Sequence, residues 1–214
     1  MLIVGAGIAL ACVEAAHLVN ERRVPLAAGK AGVTIAWLPP TVKHWEAPIT
    51  EMGQKYNIDP NLIAIIMTLE SGGYPQANSE ADAKGLMQVT PPTAKDIAAK
   101  FLSQPRTSYD LYDPHTSIEF GAAYLAYLRT EFGEHSQGPS WNATVELIAA
   151  GYNGGPGAAN NLEQGKGLTD TQTVVYSRDA YNMWRERSAP HSPTYDRWLE
   201  RGGSTLVDLA NGRK

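Results

Sequence analysis

Glu70 is the side chain best placed for acid–base chemistry. It follows the apolar residues Leu62, Ile63, Ile66, Met67 and Leu69 at helical spacing, and Ser71-Gly72-Gly73 comes directly after it. A helix stopped by the glycine pair puts Glu70 in its final turn. Two effects there raise a carboxyl pKa: apolar surroundings disfavour the ionised form, and so does the partial negative charge at a helix C-terminus. A carboxylic acid kept protonated near neutral pH can protonate a departing sugar oxygen, as cleavage of a glycosidic bond requires. The plain alternative is a solvated glutamate at a helix end.

Two further segments bear on that choice. Gly85-Leu86-Met87-Gln88 joins a flexible turn, two apolar side chains and an amide. Ala150-Gly151-Tyr152-Asn153 ends a helix with an aromatic ring and an amide, and the glycine-rich loop Gly154-Gly155-Pro156-Gly157 follows. Amides pair with hydroxyl and N-acetyl groups, and aromatic rings pack on pyranose faces. Taken singly each is weak, and Gln88 reads as a turn cap and Tyr152 as a core residue.

In combination and order, these motifs resemble the lytic transglycosylases of the soluble type, which share the lysozyme-like fold. That family has Glu-Ser at a helix end, then Gly-Leu-Met-Gln, then Ala-Tyr-Asn before a Gly-Pro-Gly loop. Here they stand as Glu70-Ser71, Gly85 to Gln88, and Tyr152-Asn153. Ser79 matches a family serine that contacts the substrate and the acid. Gln172-Thr173-Val174-Val175-Tyr176-Ser177 is similar to the family's Glu-Thr-x-x-Tyr-Val and points to Tyr176 near the acid. The resemblance covers about residues 46–186. Gly151 stands for the usual Ala, Thr90 for a frequent second Met, and Gln172 for Glu.

The resemblance implies a mainly α, lysozyme-like single catalytic domain with an N-terminal apolar segment. It implies cleavage of the β-1,4 bond between N-acetylmuramic acid and N-acetylglucosamine in peptidoglycan, closing a 1,6-anhydro ring on the muramyl product. Glu70 is then the single general acid and base. Ser71, Ser79, Met87, Gln88, Tyr152, Asn153 and Tyr176 are the substrate-binding candidates. The expected partner is the glycan strand, the expected state a monomer in the cell envelope, and no cofactor is called for. One rival is a hydrolase similar to goose-type lysozymes, with Glu80 or Asp82 holding a water. Another is a non-catalytic glycan-binding component of an envelope machine, which would keep the groove and lose the acid, whereas Glu70 is present.

The elements that must position these residues are helical. Ile49, Met52 and Tyr56 recur at helical spacing, and Asp59-Pro60 and Asp113-Pro114 are start signals with proline at the first helical position. Thr90-Pro91-Pro92 opens a helix carrying Ala94, Ile97 and Ala98. Ile118, Gly121, Leu125 and Leu128 predict a helix up to Gly133, and Ser140 is a candidate cap for one bearing Val145, Ile148, Ala149 and Tyr152. Tyr176, Ala180 and Trp184 mark the last clear helix, Thr173 to Trp184. Val33, Ile35 and Trp37 alternate in the period of two of a short extended piece. The organisation reads as leader and linker over 1–44, catalytic domain over 45–188 and a wrapping tail over 189–214.

Composition excludes several classes. The chain has 214 residues, 18 Lys+Arg against 22 Asp+Glu, a net charge of −4 and 43 % hydrophobic residues. It is too apolar and too balanced for intrinsic disorder, and a pI near 5.7 argues against nucleic acid as a ligand. Cys12 is the only cysteine, and the histidines 17, 44, 115, 135 and 191 lack metal-site spacing, so no metal is expected. Met1 to Val13 is apolar and the run continues to Val19 through Glu14 and His17, which makes residues 1–19 a candidate for membrane association. A signal peptide, an anchor followed by Arg22 and Arg23, a truncated leader and a packed helix all remain open for residues 1–28. Gly5-Ala6-Gly7 lacks the third glycine of a dinucleotide loop, and Ala9-Leu10-Ala11-Cys12 follows too short a stretch for a lipoprotein processing site. Asn142-Ala143-Thr144 fits a glycosylation sequon but is uninformative.

Overall fold

The computed structural model describes residues 32–102, 105–133 and 141–213. The apolar run from Met1, the Gly5 and Cys12 motifs, the Ser140 cap and the side chains of Asn142 and Ala143 lie outside what is described. The elements are helices: α1 (Pro40–Lys43), α2 (Glu46–Tyr56), α3 (Pro60–Ser71), α4 (Pro91–Asp96), α5 (Pro114–Gly133), α6 (Trp141–Gly154), α7 (Pro156–Glu163), α8 (Thr171–Glu186), α9 (Pro193–Trp198) and α10 (Ser204–Ala210). π turns continue α4 over Ile97–Phe101 and α9 over Leu199–Gly203. Among the described residues there is no strand, only the isolated antiparallel bridges Asn78–Lys84 and Lys84–Val89. The fold is mainly α.

The core forms around α3. Its start is set locally: the Asp59 carboxylate accepts from Asn61 N at 2.8 Å, and Pro60 sits where no backbone donor is needed. Leu62 through Met67 are all buried, so this helix is apolar on every side and must be surrounded. α1, α2, α5, α8 and α10 do so, while α6 lies along α5 and α8. Gly72 ends the helix in the left-handed conformation at φ 59°, which glycine adopts without the Cβ penalty.

The piece predicted as extended, Val33 to Trp37, joins no sheet. Thr34 N donates to Asn61 Oδ1 at 2.8 Å, and Ile35, Leu38 and Val42 enter the same core as α3. Gly154 to Gly157, read as a loop, is a corner between two helices. Gly155 turns the chain at φ 80°, and Pro156, pre-set for the first helical position, opens α7 at once. Beyond Ser188 the chain is helical as well. The Ser192 hydroxyl caps α9 by accepting from Tyr195 N at 3.0 Å, and Trp198 is buried. Glu186 ties this segment to the end of α8, accepting from the Ser192 hydroxyl and from Thr194 N and Oγ1.

A buried carboxylate locks α2 to α5. Glu119 is 1 % exposed and meets Lys55 Nζ at 2.5 Å, the Tyr56 hydroxyl at 3.0 Å and Arg106 at 2.5 Å. Burial alone would raise its pKa, but the bonds from Lys55 and Tyr56 prevail and hold it below the usual value.

Candidate active site

The last turn of α3 brings Glu70 against α8. The Tyr176 hydroxyl donates to Glu70 Oε1 at 2.5 Å, a bond spanning 106 positions in the chain. Glu70 keeps partial exposure, yet protein packs closely enough around its carboxyl for burial to push the pKa up to about 7. The Tyr176 bond acts in the opposite sense, because a donor favours the ionised form, and it is the weaker influence. Among the described residues no charged group contributes to this balance.

Tyr176 and Tyr152 both sit close enough to Glu70 to feel its charge. Burial raises both phenols well above the usual tyrosine value, and Glu70 adds to the rise. Both are therefore neutral donors throughout the range in which Glu70 titrates. The Tyr152 hydroxyl is spent on Met87 O at 2.9 Å, which leaves Tyr176 as the phenol bonded to the acid.

The segment Gly85 to Gln88 is clamped by hydroxyls from three helices. Ser71 Oγ donates to Leu86 O at 2.7 Å, Ser117 Oγ accepts from Met87 N at 3.1 Å, and Tyr152 supplies the third bond. Gly85 has φ 74°, and a Cβ there would lie 2.0 Å from Leu111 O. Gln88, at φ 46°, holds a left-handed conformation unusual for its type, and its amide nitrogen donates to Ala77 O at 3.1 Å and Gly85 O at 3.0 Å. The side-chain amide nitrogen thus caps the turn, with both hydrogens used. Met87 is fully buried and packs on Gly121, where a Cβ would come within 2.6 Å of it.

The other candidates divide. Asn153 lies beside Thr173, three residues before Tyr176 on α8, with Asn153 Oδ1 and Thr173 Oγ1 3.0 Å apart. Thr173 is held by Asp170, the N-cap of α8, through its N and Oγ1, both at 2.7 Å. Ser71 is fully buried beneath the site as a backbone clamp and presents nothing to a ligand. Met87 likewise supports from below rather than lining a surface. Ser79 is not brought onto the acid: among the described residues its Oγ accepts from Ala83 N at 3.1 Å. Glu80 and Asp82, the water-holding candidates of a hydrolase, are exposed, and Asp82 pairs with Lys84 at 3.1 Å. No group of three or more metal-ligating residues assembles among the described residues.

Sequence reasoning missed Ser117 and Asp170, and it named Thr173 only within the motif that carries Tyr176. Asp170 three residues before Thr173 is a legible cap spacing, whereas Ser117 meets Met87 only through the packing of α5 on the loop.

The most buried helix thus ends in a sheltered carboxyl hydrogen-bonded by a phenol from another helix, a pair chemically suited to proton transfer. The model of the transglycosylase SLT domain matches residues 47–175, well over half of the chain. The chain belongs to that family. It is 43 % identical over 113 residues to the membrane-bound lytic murein transglycosylase C of Actinobacillus pleuropneumoniae serotype 5b (strain L20), covering 51 % of this chain and 30 % of that protein. It is 36 % identical over 163 residues to the protein of the same name from Haemophilus influenzae (strain PittGG), covering 75 % and 42 %. The chain thus spans under half the length of these relatives. Among solved structures it is similar to an inactive mutant of the lytic transglycosylase Slt from Pseudomonas aeruginosa, with TM-score 0.47 and 23 % identity over 78 % of this chain and 24 % of that one.

Proposed function

We propose that the protein is a peptidoglycan lytic transglycosylase. It cleaves the β-1,4 bond between N-acetylmuramic acid and N-acetylglucosamine, with Glu70 as its single general acid and base. The observation that carries this reading is the Glu70–Tyr176 pair: a carboxyl with pKa about 7, bonded to one neutral phenol and, among the described residues, coupled to no second acid. A group titrating near the working pH serves both proton donation and proton abstraction well. Protonated Glu70 gives its proton to the glycosidic oxygen as the bond to the muramyl C1 breaks and an oxocarbenium-like centre develops. The substrate's own 2-acetamido group stabilises that centre, so one protein carboxylate suffices. Ionised Glu70, now held by the Tyr176 hydroxyl, takes the proton of the C6 hydroxyl as O6 bonds to C1. No water is consumed, and the product is a 1,6-anhydro sugar.

In this reading Gln88 Oε1 and Asn153 receive donors from the sugars, Tyr152 braces the loop that carries Gln88, and Ser79 contacts the substrate from the bridged loop. The partner is the glycan strand, the enzyme works as a monomer in the cell envelope, and residues 1–19 supply membrane association. The names of the relatives support the envelope setting. Among the described residues no helix is long and apolar enough to cross a membrane.

Digestion of purified peptidoglycan followed by mass spectrometry of the released muropeptides tests the proposal. Anhydro-ended products from the wild type, retained binding of the polymer by Glu70→Gln, and no products from that variant are expected. Turnover by Glu70→Gln would refute the assignment, and reducing-end products, one water heavier, would favour the hydrolase.

A further inference from the structure

The turn that follows the acid is two consecutive glycines with positive φ, Gly72 at 59° and Gly73 at 88°. This is the most permissive backbone a chain can offer, and helix ends fray within their last turn. Left unheld, it would let the end of α3 reorient and carry Glu70 away from the Tyr176 hydroxyl on α8. The turn is held from outside the family-matched residues 47–175. Thr41 Oγ1 in α1 donates to Gly72 O at 2.6 Å, and Trp45 Nε1, just before α2, donates to Gly73 O at 3.1 Å. Side chains are excluded on both sides: a Cβ on Gly73 would lie 2.5 Å from Thr41 O, and one on Gly72 would lie 3.1 Å from Leu206 and Val207 of α10. From within, Gly73 N donates to Ser71 Oγ at 3.2 Å, whose own hydrogen goes to Leu86 O.

We infer that Thr41 and Trp45 are positioning residues for the acid, holding the carbonyls of Gly72 and Gly73 so that the final turn of α3 keeps Glu70 against Tyr176. Neither touches the carboxyl. Each satisfies a carbonyl that the left-handed turn leaves without a helical partner, and each belongs to the segment that packs Val42 into the core. The catalytic unit therefore begins before the matched domain, at Thr41. The inference rests on the proposed role of Glu70.

The test uses the full chain with Thr41→Val, which removes the hydroxyl at constant volume, Trp45→Phe, which removes the indole N–H and keeps a ring, and Thr41→Ser. Two quantities are read: kcat and KM on purified peptidoglycan, and the titration of the Glu70 carboxyl carbon by NMR without substrate. Expected in the first two variants are a drop in kcat of about tenfold with KM little changed and a Glu70 midpoint moved down towards the ordinary carboxylate range as the site opens to water. Thr41→Ser restores both. Unchanged Glu70 midpoints in both variants, whatever happens to Tm, would overturn the inference. If the wild type yields no anhydro product, the functional reading fails while the NMR titration still decides this one. Should Thr41→Val fail to fold, Trp45→Phe carries the test alone.

Discussion

Glu70 titrates where it does because burial outweighs a good hydrogen bond, and this has a consequence for stability. The unfolded chain releases the Glu70 proton near the ordinary value of 4.5, while the folded protein keeps it up to about 7. Between those values the folded state binds more protons, so this group makes stability fall as pH rises through the window and adds no further change above it. Glu70→Gln removes the penalty. Its stability relative to wild type is expected to grow from near zero at pH 4.5 to about 1–3 kcal/mol above pH 7, read as a widening gap in Tm across that range. A gap that stays constant with pH would mean the carboxyl titrates normally. Tyr176→Phe moves the same group the other way from the hydrogen bond's influence. Without the donor the Glu70 pKa rises, so the falling limb of the pH–rate profile shifts to higher pH, and kcat drops by about 10²-fold for want of a hydroxyl to hold the carboxylate. Pre-steady-state or steady-state profiles across pH 5 to 9 check both.

At the scale of elements, the place of Glu70 at a helix end was legible, as was Tyr176 beside it through the resemblance, whereas the contacts that hold the turn after it were not. A glutamate after an apolar run and before two glycines announces itself locally, and Asp59-Pro60 and Asp113-Pro114 mark helix starts that the structure contains at Pro60 and Pro114. Gly154 to Gly157 misled because glycine content masked the proline that opens α7. The end of the chain misled because Ser192-Pro193, a good start signal, lies among mixed residues. What sequence spacing cannot carry is contact between distant segments: Ser117 with Met87, Thr41 with Gly72, Tyr152 with Met87. The loop held by those contacts gives a direct test. Gly85→Ala puts a Cβ onto the Leu111 carbonyl at a positive φ, and neither backbone can yield cheaply. A loss of about 2–4 kcal/mol is expected in denaturant unfolding, along with weakened glycan binding as Gln88 leaves its place. A neutral substitution would show that the clamp does not depend on this close approach.

The whole molecule is a case for building a site from a core. α3 is buried on every side, so its end can be fixed only by what surrounds it: α8 supplies Tyr176, α1 and the Trp45 corner supply donors to the glycine turn, and α10 closes over Gly72. The family-matched residues 47–175 hold the acid, its phenol Tyr176 stands one position beyond them, and helices before and after complete the enclosure. In the proposed reaction the anhydro ring closes only if the C6 hydroxyl reaches C1 before water does. Digestion of purified peptidoglycan in water enriched in heavy oxygen reads that competition directly. The proposed reaction yields muropeptides ending in 1,6-anhydro-muramic acid with no heavy oxygen at C1. Heavy oxygen incorporated at the muramyl C1 in the initial products would contradict it.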